Sequence, residues 1–365
     1  MDGQAGSCGK GKIVGYLSLR DNIDVAINNN MTNAGHTFVF DNGKKVITSH
    51  LPISVVNPNT ELLIGATAAI TPEVLENELI KYSGLIGDRK IYIHPRAMII
   101  QQKHRDYEHQ MIRSGSTFKG CGAAQAEKML RLNGVELIKD YYFKLSDTIK
   151  RKVIITDTTD ILFNAVKHGK KIIIEGSQGF DLDLNYGLDY PNVTSRQCTA
   201  AQMLADCGLP LGLSVKVYML IRPYPIRISN KTDLNIDINS GEYDGSDEIT
   251  WDIIKQRCEA PIDVDLKELT TVTKKVRRVF EFNYDRFDKA MQINDPYCVV
   301  LNFAQYLNYQ ALSKNDYFDL PGEIYQFESY IYDKYRDKFV GLIGTGARNC
   351  DIVDIETVDA DQRYG

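Results

Sequence analysis

A glycine-studded loop, Gly3-Gln4-Ala5-Gly6-Ser7-Cys8-Gly9-Lys10-Gly11-Lys12, opens the chain and limits the folds open to it. Glycines let backbone N–H groups crowd together and point at one anion, and Lys10 adds a point charge. The loop therefore predicts a phosphate binder. It is not a strict Walker A, which has four residues between its glycines and a Ser or Thr after the Lys. Here five residues separate Gly3 from Gly9, and Gly11 follows Lys10. A phosphate loop normally follows a strand, yet only Met1 and Asp2 precede Gly3, so the first strand is expected to be missing or a stub. Taken alone, a glycine-rich loop is also ordinary turn chemistry.

The rest of the chain alternates apolar strand-like runs with amphipathic helical stretches. Asp24–Asn28, Glu61–Ile64, Lys171–Ile174, Val215–Leu220, Cys298–Leu301 and Phe339–Ile343 read as strands. Thr37–Phe40 and Lys45–Ile47 flank Asp41-Asn42-Gly43 as a hairpin. Thr71-Pro72-Glu73 reads as a capped helix start, and 121–132, 159–168, 200–207 and 251–258 as helices. Helices between apolar strands predict an α/β fold of phosphate-loop type, with a mostly parallel central sheet flanked by helices. Ligands in such folds gather at the carboxyl ends of strands. No Pro/Gly/Ser-rich linker interrupts residues 1–365, which predicts a single domain with insertions.

Composition excludes several classes. A formal net charge of −5 offers no global basic field, so direct nucleic-acid binding is not expected. Seven scattered cysteines without a C-x-x-C pair argue against zinc and for buried thiols in a reducing compartment. No apolar run reaches the ~20 residues of a membrane span, and no signal peptide is visible. A cytoplasmic protein with no membrane partner is expected.

Several loops share small residues flanking a polar group: Asn33-Ala34-Gly35-His36-Thr37, Gly115-Ser116-Thr117-Phe118-Lys119-Gly120, Glu175-Gly176-Ser177-Gln178-Gly179, Tyr190-Pro191-Asn192-Val193-Thr194-Ser195 and Gly344-Thr345-Gly346-Ala347-Arg348. Together they suggest one extensive ligand cleft. With the opening loop, and in this order, they resemble the adenylosuccinate synthetase family from Gly3 to about Arg348. That family joins aspartate to the 6-position of a purine nucleotide, using GTP and Mg²⁺. It first phosphorylates the purine 6-oxygen, and the aspartate amine then displaces phosphate.

The resemblance implies roles residue by residue. His36 matches the catalytic His, and Lys10 would steady the transferring phosphoryl group. Asn33, Ser116, Thr117, Gln178 and Thr194 match contacts to the purine monophosphate, with Gln178 also catalytic. Arg131 matches an Arg that crosses from the neighbouring subunit, which implies a homodimer. Gly6, Cys8, Gly9, Lys10, Gly11, Lys12, Thr345, Gly346 and Arg348 match the triphosphate site. Gly35 would offer its carbonyl to Mg²⁺. The family's Thr-x-Arg-x-Arg aspartate loop is best matched by Thr273, Lys275 and Arg277, of which only Arg277 can grip a carboxylate bidentately.

Two departures bear on the substrate. The family's phosphate loop reads Gly-Asp-Glu-Gly-Lys-Gly-Lys, whereas this one has Ser7 and Cys8 at the acidic positions. The missing Asp is the family's base at purine N1 and a Mg²⁺ ligand. Ser7 takes its place as the residue facing base and metal, and leaves room beside C2 for the 2-amino group of guanine. A viral branch of the family has this change and converts dGMP, aspartate and ATP into a 2-amino succino-deoxyadenylate for 2-aminoadenine DNA. Secondly, the Thr-Lys-x-Asp that reads GTP is replaced by Leu301-Asn302-Phe303-Ala304-Gln305. Gln305 can donate and accept, which suits adenine, so ATP or dATP is expected. The competing readings are ordinary adenylosuccinate synthesis from IMP, a nucleotide kinase, and an inert nucleotide-binding module.

Overall fold

The computed structural model describes residues 1–111, 116–228, 231–233, 236–238, 240–269 and 275–358. The first element is the helix α1 (Lys10–Arg20), followed by β1 (Val25–Asn28), the hairpin β2 (His36–Val39) and β3 (Lys45–Thr48), and β4 (Glu61–Ile64). A five-stranded parallel sheet runs in the order Val153–Ile155, Ile91–Ile93, β4, β1, Ile172–Glu175. Its strands are short apolar runs because helices and loops cover both faces. Val25, Ala26, Ile27, Leu62 and Leu63 are fully buried.

A second, four-stranded sheet is ordered Tyr218–Ile221, Cys298–Leu301, Val340–Gly344, Ile352–Asp354. Its first three strands are parallel and the last is antiparallel. Helices Tyr284–Asn294 and Gly322–Lys334 supply Phe287, Met291, Ile324 and Ile331 to its core. The expected central sheet is thus present as two sheets, each with its own apolar cluster.

The opening loop lies between them. Asp2 forms an isolated parallel bridge with Leu220, and Gly3 N donates to Leu220 O at 2.8 Å. On the other side Phe180 N donates to Asp2 O at 3.0 Å. Residues 1–3 therefore run beside Tyr218–Ile221, in the strand position ahead of the phosphate loop.

Close packing of α1 sets the position of His36. A Cβ at Gly11 would stand 2.6 Å from Thr37 N, and one at Gly15 would stand 2.2 Å from the Phe38 ring. Only glycine lets β2 approach the helix this closely, which brings His36 to the N-terminal turn of α1. Most elements match the expected ones within a few residues. The helix expected to run to Leu132 ends at Leu130. Among the described residues no helix is long and apolar enough to cross a membrane.

Candidate active site

The phosphate loop winds through left-handed backbone at Gly6 (φ 86°), Ser7 (φ 59°) and Gly9 (φ 82°). For Ser7 that conformation costs about 1–2 kcal/mol, so the surroundings must impose it. Cys8 N donates to Asp2 Oδ2 at 3.1 Å, and Asn302 Nδ2 donates to Cys8 O at 2.7 Å. Arg222 Nη1 donates to Ser7 O at 3.3 Å. The Ser7 residue itself is exposed at the loop tip. Cys8 is buried and its thiol meets Gln4 Oε1 at 3.2 Å, so only its backbone is available to a nucleotide. Gly9 caps α1 without a side-chain hydrogen bond, and the first turn holds no acidic residue, which keeps the helix end suited to anions.

The two loop lysines have different duties. Lys10 Nζ donates to Asp2 Oδ2 at 3.0 Å and to Gln178 O at 2.6 Å. Lys12 Nζ donates to Gly346 O at 2.8 Å and Asp351 O at 2.6 Å, tying the late loop onto α1. Burial lowers the Lys12 ammonium to about 7.

His36 Nδ1 is hydrogen-bonded to Glu175 Oε1, and Glu175 Oε2 accepts from Ile53 N at 2.8 Å. Both side chains are buried. A carboxylate on Nδ1 fixes the ring orientation, puts the proton on Nδ1 in the neutral ring, and leaves Nε2 for chemistry. Glu175 ends its strand in register with Asn28 at the end of β1, so the pair stands at the carboxyl edge of the parallel sheet.

Gln178 follows in a left-handed conformation, φ 62°. A Cβ at Gly179 would fall 2.0 Å from Gln4 O, so this loop presses directly on the phosphate loop. Asn33 is half-buried and Gly35 exposed on the turn before β2. Ser116 Oγ accepts from Phe118 N at 3.0 Å, and Thr117 beside it is exposed. A Cβ at Gly122 would approach Ser195 Cβ to 3.2 Å, so the Thr117 and Thr194 loops converge at the start of helix Cys121–Leu130. Glu108 takes amides there, from Gly120 and Gly122 at 2.8 Å each.

Arg131 stands apart from these groups. It caps the far end of that helix at φ 57° and is exposed; ten residues of helix span about 15 Å. Thr273 lies outside the described residues. Lys275 is exposed, and Arg277 is half-buried, its amide donating to Glu268 O at 2.8 Å. Glu268 in turn pairs with Arg222, linking this segment to Ser7.

Gln305 Oε1, expected to face the nucleotide base, is buried without a hydrogen-bond partner. Thr345 Oγ1 donates to Lys314 O at 2.6 Å, and Arg348 pairs with Asp351 at 2.9 Å. Among the described residues no group of three or more His, Cys, Asp or Glu is placed to hold a metal. The donors assigned to Mg²⁺, Ser7 and the Gly35 carbonyl, are neutral and exposed. They fit an ion whose charge is met chiefly by substrate phosphates, the usual habit of Mg²⁺.

Sequence reasoning missed Glu175, Asp2, Asn302 and Arg222. Glu175 heads the Glu-Gly-Ser-Gln-Gly loop, and a carboxylate ending an Ile-rich strand was its available signal. The other three are polar residues whose burial depends on partners distant in the chain.

A family model described as adenylosuccinate synthetase matches residues 3–141 and 133–312. The N6-succino-2-amino-2'-deoxyadenylate synthase of Salmonella phage PMBT28 is 37% identical over 322 residues, covering 84% of each chain. That of Vibrio phage phiVC8 is 36% identical over 352 residues, covering 95% of this chain and 94% of the relative. The adenylosuccinate synthetase of Pyrococcus horikoshii is 29% identical over 361 residues, covering 97% of each. Among solved structures, the cyanophage S-2L succinoaminodeoxyadenylate synthetase bound to dGMP and dATP superposes with a TM-score of 0.81 at 30% identity, covering 97% of this chain and 93% of that one. With the family's loops assembled on the family's fold, the chain belongs to the adenylosuccinate synthetase family of carbon–nitrogen ligases.

Proposed function

We propose that the chain joins L-aspartate to C6 of dGMP at the expense of ATP or dATP, giving N6-succino-2-amino-2'-deoxyadenylate, ADP or dADP, and phosphate. The observation that carries this reading is Ser7: an exposed hydroxyl held at the loop tip where the family has a carboxylate. A serine can accept a hydrogen bond from a 2-amino group and leaves it space. The named substrates of the phage relatives and the ligands of the cyanophage structure support the same assignment.

The dGMP 6-oxygen attacks the terminal phosphorus, the N1 proton passes to water, and the nucleoside diphosphate leaves. His36, backed by Glu175, presents Nε2 to the oxygen that gains charge. Lys10 has an N–H left for the phosphoryl group in flight. The neutral aspartate amine then attacks C6, phosphate departs with the 6-oxygen, and the nitrogen releases a proton to water. Arg277 grips the aspartate carboxylate, a role shared with Thr273 and Lys275. Asn33, Ser116, Thr117, Gln178 and Thr194 hold the monophosphate and base. Mg²⁺, bound through Ser7, Gly35 and phosphate oxygens, would supply charge neutralisation.

The unpartnered Gln305 Oε1 is an acceptor suited to the adenine amino group, which favours ATP or dATP over GTP. Gly6 to Lys12, Thr345, Gly346 and Arg348 complete that site. We infer a homodimer in which Arg131 serves the neighbouring site. Its flanking residues Met129, Leu130 and Leu132 are 74%, 66% and 49% exposed, an apolar patch suited to a second copy. Residues 1–365 act as one domain, because the loop joining the two sheets is the catalytic one.

Mass spectrometry of a reaction with dGMP, aspartate and ATP tests the proposal. The succinylated 2-amino product is expected, and its absence without aspartate. A phosphorylated nucleotide that accumulates regardless of aspartate contradicts it and favours a kinase.

A further inference from the structure

The Asp2 carboxylate lies under the phosphate loop with 0% exposure. Its Oδ1 accepts from Gln4 N at 3.0 Å, and its Oδ2 from Cys8 N at 3.1 Å and Lys10 Nζ at 3.0 Å. Burial alone pushes its pKa up, but the Lys10 ammonium and the two amides outweigh this and hold it below the usual carboxylate range. A second donor of Lys10 goes to Gln178 O at 2.6 Å. An ammonium has three donors, so one remains for a phosphoryl oxygen. The loop tip itself carries neutral Ser7 and Cys8, so Asp2 compensates Lys10 from beneath.

We propose that Asp2 is a positioning residue: it cancels the Lys10 charge from below and aims the remaining N–H at the transferring phosphoryl group. A compensated ammonium attracts polyphosphate less than a bare one. A pinned ammonium, however, meets the transition state in the right place. Asp2 therefore weakens ground-state binding while raising turnover. A residue that merely stiffened the loop would raise both.

Asp2→Asn separates the two roles. Isothermal titration with inorganic tripolyphosphate is expected to show binding about tenfold tighter at low salt. The kcat with dGMP, aspartate and ATP is expected to fall about tenfold or more. Weaker or unchanged binding, or an unchanged kcat, overturns the proposal. Thermal unfolding of Asp2→Asn, Lys10→Met and the double variant supplies a second readout. Each single change is expected to lower Tm, and the double to recover part of the combined loss. A double variant whose loss equals or exceeds the sum overturns the pairing. If Asp2→Asn does not fold, a folded double variant supports it and an unfolded one overturns it. The proposal rests on the phosphoryl-transfer reading of the loop, but the titration contains no purine and fails independently of the dGMP assignment.

Discussion

Glu175 and His36 are hydrogen-bonded across 139 residues of sequence, and the Glu175 oxygen not facing His36 accepts the Ile53 amide. One carboxylate thus orients the imidazole and is itself held by backbone. Glu175→Gln keeps the shape but removes the carboxylate that orients the ring. The expected outcome is a kcat lowered about 100-fold with KM for dGMP within a few-fold, measured by steady-state kinetics. An unchanged kcat rules out the pair as catalytic.

Arg131 at the exposed end of its helix makes a prediction about subunits. Arg131→Leu is expected to cut activity at least tenfold without lowering Tm. Mixing it with a His36→Asn variant, each nearly inactive alone, is expected to restore part of the activity, because one hybrid site then holds both native residues. Failure of mixed samples to gain activity under subunit exchange contradicts a shared site.

The buried acceptor of Gln305 predicts nucleotide choice. Gln305→Asp supplies a carboxylate for the two guanine N–H donors. The kcat/KM ratio of GTP to ATP is expected to rise about tenfold or more, since a matched charged hydrogen bond is worth about 1.5–3 kcal/mol. A ratio that does not move places the base elsewhere.

Stability at acid pH follows from His50. Burial lowers it to about 4, and its Nε2 accepts the Thr71 amide at 3.2 Å. Between its folded value and about 6.5 the unfolded chain binds the extra proton. Its contribution is therefore complete above about 6.5 and is lost as pH falls towards 4, up to about 3 kcal/mol. Nearby Glu78, raised to about 7 by burial, slopes the other way. It is shared with His50→Gln, so the difference in Tm between parent and variant isolates His50. That difference is expected to shift against the parent as pH drops from 6.5 to 4; a constant difference contradicts it.

The site was legible where its chemistry is local. The phosphate loop, the His36 turn and the Gln178 loop carry their glycines beside the functional group, and Cys298–Leu301 is a short apolar run with clear ends. What was not legible depends on partners far away. The Glu175–His36 contact arises from the parallel register of β1 with Ile172–Glu175, and Asp2 is buried because it bridges Leu220. Thr71 reads as a helix cap, yet its hydroxyl bonds Thr32 Oγ1 at 2.7 Å and no side-chain cap forms. The division into two sheets was equally hidden, since strand order leaves no local trace.

The central claim concerns the hydroxyl at position 7. The ratio of kcat/KM for dGMP to that for IMP, measured for the parent and for Ser7→Asp under the same conditions, tests it most directly. The account predicts a parent ratio well above one and a fall of about tenfold or more in the variant, a carboxylate crowding the 2-amino group. A parent that prefers IMP, or a ratio that Ser7→Asp leaves unchanged, contradicts it.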